Sequence, residues 1–218
     1  MQKDRRLTFG LSHSDMGMSW DKARQMILKD GEDFVDFTSC ALTGLHNVLN
    51  IQAASLIALQ AGVSHKAIIA AVQSFSGLSH RYQKVDSCDQ ITWINDSKAT
   101  NPGATKVSIQ AAKADTQGEL ILIAGGDAKQ ADLSQLNQLI ADSVSYLIAM
   151  GKDGRLLMAE AKSAVFVDCM YDAVKLAKKI AKDGDTVLLS PACASLDMFR
   201  NFEHRGQCFT EAIERLVA

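Results

Sequence analysis

Two patterns of apolar positions divide the chain. Residues 1–40 are weakly patterned, with short apolar runs at Arg6–Leu11, Ala23–Leu28 and Phe34–Phe37. Asp30-Gly31, inside the turn Lys29–Asp33, is a hairpin signal. These features predict a small β-rich piece. Val48–Ala61 then repeats apolar residues at helical spacing around much of its circumference, which predicts a largely buried helix. Gly62 ends it, and Ser64 opens a second helix reaching about Phe75. From Tyr82 onward strands and helices alternate. Tyr82–Cys88 and Gln90–Ile94 read as paired strands, followed by a helix over Gly103–Ala114. Glu119–Ala124, Val144–Met150, Ala164–Val167 and Thr186–Leu189 read as strands. Ser134–Ala141, Arg155–Lys162, Tyr171–Ala181 and Gln207–Val217 read as helices. Leu120-Ile-Leu-Ile-Ala lacks polar alternation, as expected of a parallel strand covered on both faces. The expected fold class is therefore α/β, with a doubly wound, mostly parallel sheet. The change of pattern around Gly77–Arg81 divides the chain into 1–81 and 82–218.

Composition narrows the function classes. The chain has 218 residues and a formal net charge of −2. That balance argues against nucleic-acid and anionic-membrane partners. No apolar run is long enough to span a bilayer. The start, Met1–Leu7, has no signal-peptide pattern. Cysteines 40, 88, 169, 193 and 208 are dispersed and odd in number, which reads as reduced thiols in a cytoplasmic protein. The five histidines show no ligand spacing, so no protein metal site is expected here.

Three strand-to-helix turns carry the candidate chemistry: 95–101, 125–129 and 190–202. In a parallel sheet they share the carboxyl edge, where ligands bind. In Asn95-Asp-Ser-Lys-Ala-Thr-Asn101, Asp96 either accepts from a ribose hydroxyl or orients Lys98. Lys98 suits a phosphate or carboxylate; alternatively the stretch is a polar loop with Thr100 or Asn101 capping the helix before Pro102. In Gly125-Gly-Asp-Ala-Lys129 the glycines permit close backbone approach to a ligand and Lys129 adds charge, or the stretch is a tight turn with a solvated lysine. It is not a phosphate-binding loop of the Gly-x-x-x-x-Gly-Lys-Ser/Thr type, and none occurs in the chain. In Ser190–Phe202, Ser195 is expected to open a short helix whose N–H groups hold a carboxylate, with Phe202 walling the pocket. Cys193 reads as a buried small residue, and 201–206 as a charged, solvated connection. His46 and Asn47 stand at a helix start, where Asn47 either caps or meets an anion. Arg81 is either a surface charge or a phosphate or ribose contact.

Placed in order, these motifs resemble the Mur ligase family. The residues carrying the resemblance are Gly44-Leu-His-Asn47, Gly77-Leu-Ser-His-Arg81, Trp93–Asn101, Gly125–Lys129 and Leu188–Phe202, continuing to Gly206. Within the family the match is to members that add D-glutamate. The resemblance implies a Rossmann-like final domain preceded by the end of a P-loop-type central ATPase domain. It implies ATP-dependent joining of D-glutamate to UDP-N-acetylmuramoyl-L-alanine through an acyl phosphate, by a cytoplasmic monomer of peptidoglycan synthesis. It places Asn47, Arg81 and Asp96 on the nucleotide side. Thr100, Lys129, Ser195, Leu196 and Phe202 fall around D-glutamate, with Lys98 the catalytic candidate. ATP and magnesium are implied. The phosphate loop, the magnesium ligands and a carbamylated lysine are expected upstream of this chain, which alone is expected not to ligate. The other reading is a non-catalytic binding module for a small dicarboxylate or nucleotide.

Overall fold

The structure, a computed structural model, describes residues 6–12, 16–42 and 44–217. It divides into two units, one ending at Gly77 and one beginning at Leu78. The sequence pattern puts that boundary after Arg81. Residues 78–81 are tied into the second unit, where the Lys98 N–H donates to the His80 carbonyl at 2.9 Å.

In the first unit a four-stranded sheet has the order β1 (Thr8–Phe9), β2 (Gly17–Asp21), β3 (Met26–Lys29), β4 (Glu32–Asp36). β1 runs parallel to β2, and the remaining pairs are antiparallel. Asp30 (φ 51°) and Gly31 (φ 86°) form the expected turn between β3 and β4. The apolar run at Arg6–Leu11 reduces to β1, and Ala23 falls in a turn. β2 has no counterpart in the sequence reading. Gly17 lets it form: at φ 107° a Cβ there would collide with the Thr8 backbone.

Two helices follow, α1 (Leu45–Gln60) and α2 (His65–Ser74). The end of α1 is closed by bonds from Gly62 N to Leu59 O and Val63 N to Ala58 O, with Gly62 at φ 84°. Ser64 caps α2 by accepting from the Ala67 N–H. α1 is not buried around its circumference. Val48, Ile51, Gln52, Ser55 and Leu56 form one inward stripe, while Ile57 is 72% exposed. β1, β2 and α2 pack against this helix.

The second unit holds a six-stranded sheet: β5 (Gln83–Val85), β6 (Thr92–Asn95), β7 (Leu120–Gly125), β8 (Tyr146–Met150), β9 (Ala164–Phe166) and β10 (Thr186–Leu189). Their spatial order is β5-β6-β10-β7-β8-β9, and all pairs are parallel except β5 with β6. The helices are α3 (Pro102–Asp115), α4 (Asn137–Ser143), α5 (Met170–Ile180) and α6 (Phe202–Val217). One apolar layer joins the sheet to α3, α4 and the turn before α4 through Ile109, Ala112, Ile140 and Leu136. The other joins it to α5 and α6 through Val174, Ala177, Phe209 and Ile213. Alternate residues of β7 serve opposite layers: Leu120 and Leu122 one, Ile121 and Ile123 the other. This is why the strand reads as unbroken hydrophobicity.

Three expected helices change. Arg155–Lys162 is a single 3₁₀ segment, Gly154–Met158, because the link from β8 to β9 is short and begins with Gly151 at φ 75°. Ser134–Ala141 splits into a 3₁₀ turn at Leu133–Leu136 followed by α4. The last helix starts at Phe202, not Gln207. No described helix is long and apolar enough to cross a membrane.

Candidate functional site at the carboxyl edge of the sheet

β10 lies between β6 and β7, with Leu189 in register with Asn95 on one side and Ile123 on the other. The turns after these three strands therefore start side by side. Those after β6 and β7 lead to α3 and α4 on one face, and that after β10 leads to α6 on the other. In open α/β sheets, ligands bind where loops leave the strand ends in opposite directions.

Main-chain bonds weld the turns together. Asp96 N donates to Leu189 O (2.8 Å), Ala192 N to Ala99 O (2.9 Å) and Gly125 N to Pro191 O (2.9 Å). Asp127 and Ala194 exchange two bonds, at 3.0 and 2.8 Å. A fourth turn, 151–154, joins through Asp153 N to Gly126 O (2.9 Å) and Lys152 N to Asp197 Oδ2 (2.9 Å). Of the two roles expected for the glycine pair, the contacts favour the tight turn. A Cβ on Gly125 would collide with Met150 O, and one on Gly126 with Ala194 O. These glycines let the protein's own backbone close up, rather than a ligand's approach.

Buried polar side chains complete the frame. Asp96 is 7% exposed. One of its oxygens accepts from Tyr82 N (3.1 Å), and the other from Ser108 Oγ (2.5 Å) and Ser190 Oγ (3.2 Å). It faces inward and does not reach toward Lys98. Asn95, fully buried, donates to Gly206 O at 2.9 Å and accepts from Ser97 N. Arg205 is 1% exposed. Its guanidinium donates to Ser97 Oγ (3.0 Å), Ser97 O (2.8 Å) and Cys193 O (3.1 Å), pinning the turn after β6 to that after β10. Burial pulls this guanidinium down to about 10, so it stays charged at neutral pH. The stretch 201–206 is therefore not merely a solvated connection. Cys193 is fully buried, and desolvation pushes its thiol up to about 12, which suits a packing role and not a nucleophile.

The remaining candidates of the second unit sit on this frame. Lys98 is half-buried, with its ammonium 4.0 Å from the centroid of the Phe202 ring. Thr100 is half-buried beside it, and Asn101, not Thr100, caps α3 by accepting from Ala104 N. Lys129 is exposed at φ 47°. Its N–H donates to Asp127 Oδ1, which with Lys152 holds that carboxyl below its usual range. Ser195 is buried and Leu196 is 64% exposed. Ser195 opens no helix: residues 195–201 are turns, and Asn201 Oδ1 accepts from His204 N at the start of α6. Arg81 is exposed between His80 (φ 63°) and Tyr82 (φ 47°). Asn47 belongs to the first unit, inside the first turn of α1; Gly44 occupies the cap position. Among the described residues no group of three or more His, Cys, Asp or Glu side chains is arranged to hold a metal ion.

The family described as "Mur ligase, glutamate ligase domain" matches residues 80–193. The chain belongs to the Mur ligase family. Its strongly similar relatives include a UDP-N-acetylmuramoylalanine–D-glutamate ligase of Colwellia psychrerythraea, 43% identical over 95% of this chain and 45% of the relative. The enzyme of that name from Pseudomonas aeruginosa is 38% identical over 96% of this chain and 48% of its own length. The chain thus spans about half the length of the curated relatives it matches. Among solved Mur ligase structures, UDP-N-acetylmuramate–alanine ligase from Thermotoga maritima shares the fold with a TM-score of 0.64 at 18% identity, over 96% of this chain and 48% of that one. The D-alanyl-D-alanyl-adding ligase from Acinetobacter baumannii does so with a TM-score of 0.65 at 17% identity, over 95% and 46%.

In this Mur ligase chain the frame was the part that sequence reasoning missed, although a signal for it existed. Arg205, Phe209, Ala212 and Ile213 fall at i, i+4, i+7 and i+8, so Arg205 stands on the inward stripe of α6. Ser108 likewise lies between Thr105, Ile109 and Ala112 on the buried stripe of α3. A charge or hydroxyl in an apolar stripe marks a buried polar anchor.

Proposed function

We propose that this chain is the carboxyl-terminal part of an ATP-dependent, cytoplasmic ligase of peptidoglycan synthesis. The reaction joins D-glutamate to UDP-N-acetylmuramoyl-L-alanine through an acyl phosphate. One observation carries this reading: the turns after β6, β7 and β10, welded at one sheet edge, present Lys98, Thr100, Lys129, Ser195, Leu196 and Phe202. Two ammonium groups and two hydroxyls match an amino acid with two carboxylates. Lys98 is proposed as the catalytic cation, offsetting charge on the phosphate and tetrahedral oxygens as the amine attacks and phosphate leaves. Asn47 and Arg81 are proposed nucleotide contacts. Asp96 acts on that side by fixing the turn, since Tyr82, Ser108 and Ser190 already hold its oxygens. ATP supplies the phosphoryl group, and a divalent cation balances its charge.

The 218 residues contain no Gly-x-x-x-x-Gly-Lys-Ser/Thr loop, which favours binding without ligation when this chain is alone. The test measures phosphate release with UDP-N-acetylmuramoyl-L-alanine, D-glutamate, ATP and magnesium. It is run with this chain alone and with the amino-terminal half of a relative added. Release only in the combined sample supports the proposal; no release in either sinks the ligase reading. In a combined active enzyme, Lys98→Ala is expected to cut turnover by about 100-fold or more, with an unchanged circular dichroism spectrum.

A further inference from the structure

Lys98 meets no carboxylate among the described residues. Among the described residues its ammonium makes no ion pair, and Asp96, two positions earlier, is turned inward onto Tyr82, Ser108 and Ser190. What it meets is the face of Phe202, 4.0 Å from the ring centroid. Both partners are anchored through main-chain atoms. Ser97 Oγ donates to Phe202 O at 2.8 Å, and Lys98 N donates to His80 O at 2.9 Å. The His80 ring stands edge-on to Phe202, with centroids 6.5 Å apart and planes at 81°. Gly206 gives His80 its place, since a Cβ there would strike the imidazole.

We propose that Phe202 is a positioning residue for Lys98: its ring face holds the ammonium in place before any anion arrives, without neutralising it. This rests on the reading above that Lys98 meets an anionic group. A carboxylate in the same place would also fix the lysine, but it would compete with the ligand. A ring face attracts a cation weakly and occupies one side of it. The other N–H bonds stay available for the stronger, charge-assisted bonds that a carboxylate or phosphate makes. A lysine already ordered has less rotamer freedom to lose on binding. The pair is therefore a holder that yields to the right ligand.

The first experiment reads the geometry without any activity. Lysines are reductively methylated with ¹³C-formaldehyde, and the Lys98 resonance is assigned by its loss in Lys98→Arg. Over the ring face it should lie upfield of the other dimethyl-lysines and return to their range in Phe202→Leu. A Lys98 signal within the ordinary range overturns the proposal, whatever the ligand proves to be. The second experiment is kinetic, in the active combined enzyme. Phe202→Leu should raise the KM for D-glutamate about 2- to 5-fold, with kcat changing less, and Phe202→Trp should restore it. Replacing Phe202 by mono-, di- and trifluorophenylalanine, which keep its shape, should raise KM stepwise as the ring loses its negative face. A flat fluorine series means that the ring only packs, and the proposal falls. The ligase reading fails separately, if Lys98→Ala keeps its turnover.

Discussion

The two units spend their polar groups differently. In the second, Asn95, Asp96, Ser97, Ser190 and Arg205 are buried, and each is hydrogen-bonded to a neighbouring turn. Among the described residues, four side-chain atoms of the first unit, Ser19 Oγ, Trp20 Nε1, Gln52 Oε1 and Ser55 Oγ, are buried without a hydrogen-bond partner, whereas in the larger second unit Asn137 Oδ1 is one such atom. Apolar exposure is denser in the shorter first unit, although the second also exposes Leu78, Val107, Leu156 and Leu196. The first unit exposes Phe9, Met16, Leu45, Ile57, Val63 and Phe75 by 42–72% each, around a sheet of short strands. The second covers both faces of its sheet with helices. Buried polarity is thus a resource where it is paired and a liability where it is not. We expect the second unit to unfold at the higher temperature, and calorimetry of the chain should resolve the order.

The comparison breaks most visibly at Arg205. Replacing it with Met leaves the carbonyls of Ser97 and Cys193 buried and unpaired, at a cost of about 3–5 kcal/mol. The upper transition should fall by several degrees or merge with the lower one, which should not move. An unaltered upper transition would mean that Arg205 does not hold the turns. Gly126→Ala comes next: φ 131° and the clash with Ala194 O predict a loss of about 2–4 kcal/mol in the second unit. Denaturant titration of that transition would check it.

Ser55→Ala should act in the opposite direction. It removes an orphan hydroxyl without opening a large cavity, and should stabilise the first unit by about 1 kcal/mol. A loss of stability in urea titrations would show that the hydroxyl has a partner in solution. The smallest effect concerns acid. Burial pushes the Asp89 carboxyl up, and hydrogen bonds from Lys178, Ser87 and Trp93 more than reverse it, leaving it below its usual value. A carboxyl lowered in the folded state adds stability above the unfolded value, near pH 4, and that stability is lost as pH falls through the folded one. The upper transition should decline below about pH 4, less steeply in Asp89→Asn. Equal slopes would remove Asp89 from the account.

Sequence periodicity carried the second unit well because its signals were strong. β7 is uniformly apolar, Pro102 follows the cap Asn101, and each strand is followed by a polar turn. Those turns could be placed at one edge before any coordinates, because parallel strands all end on the same side. The first unit was less legible. β2 depends on a glycine contact with Thr8 that lies nine residues away, and Ile57, within the run read as largely buried, is 72% exposed. In the site, sequence drew attention to charged tips and missed the supports. The Gly125-Gly126 pair read equally as room for a ligand or as a tight turn, because no local rule reveals that Met150 and Ala194 fill the space beside it.

The weld between the turns has a consequence for how such a site can change over generations. Its shape is written in main-chain bonds, from Asp96 to Leu189 and from Asp127 to Ala194, and in the buried grip of Arg205. The tips that would meet a ligand, such as Lys129 and Leu196, project from that scaffold and bear little of its stability. Under the proposed ligase reading, substitution at the tips would therefore retune which acid is accepted while the scaffold persists. Inheritance can keep the vessel and rewrite the lock.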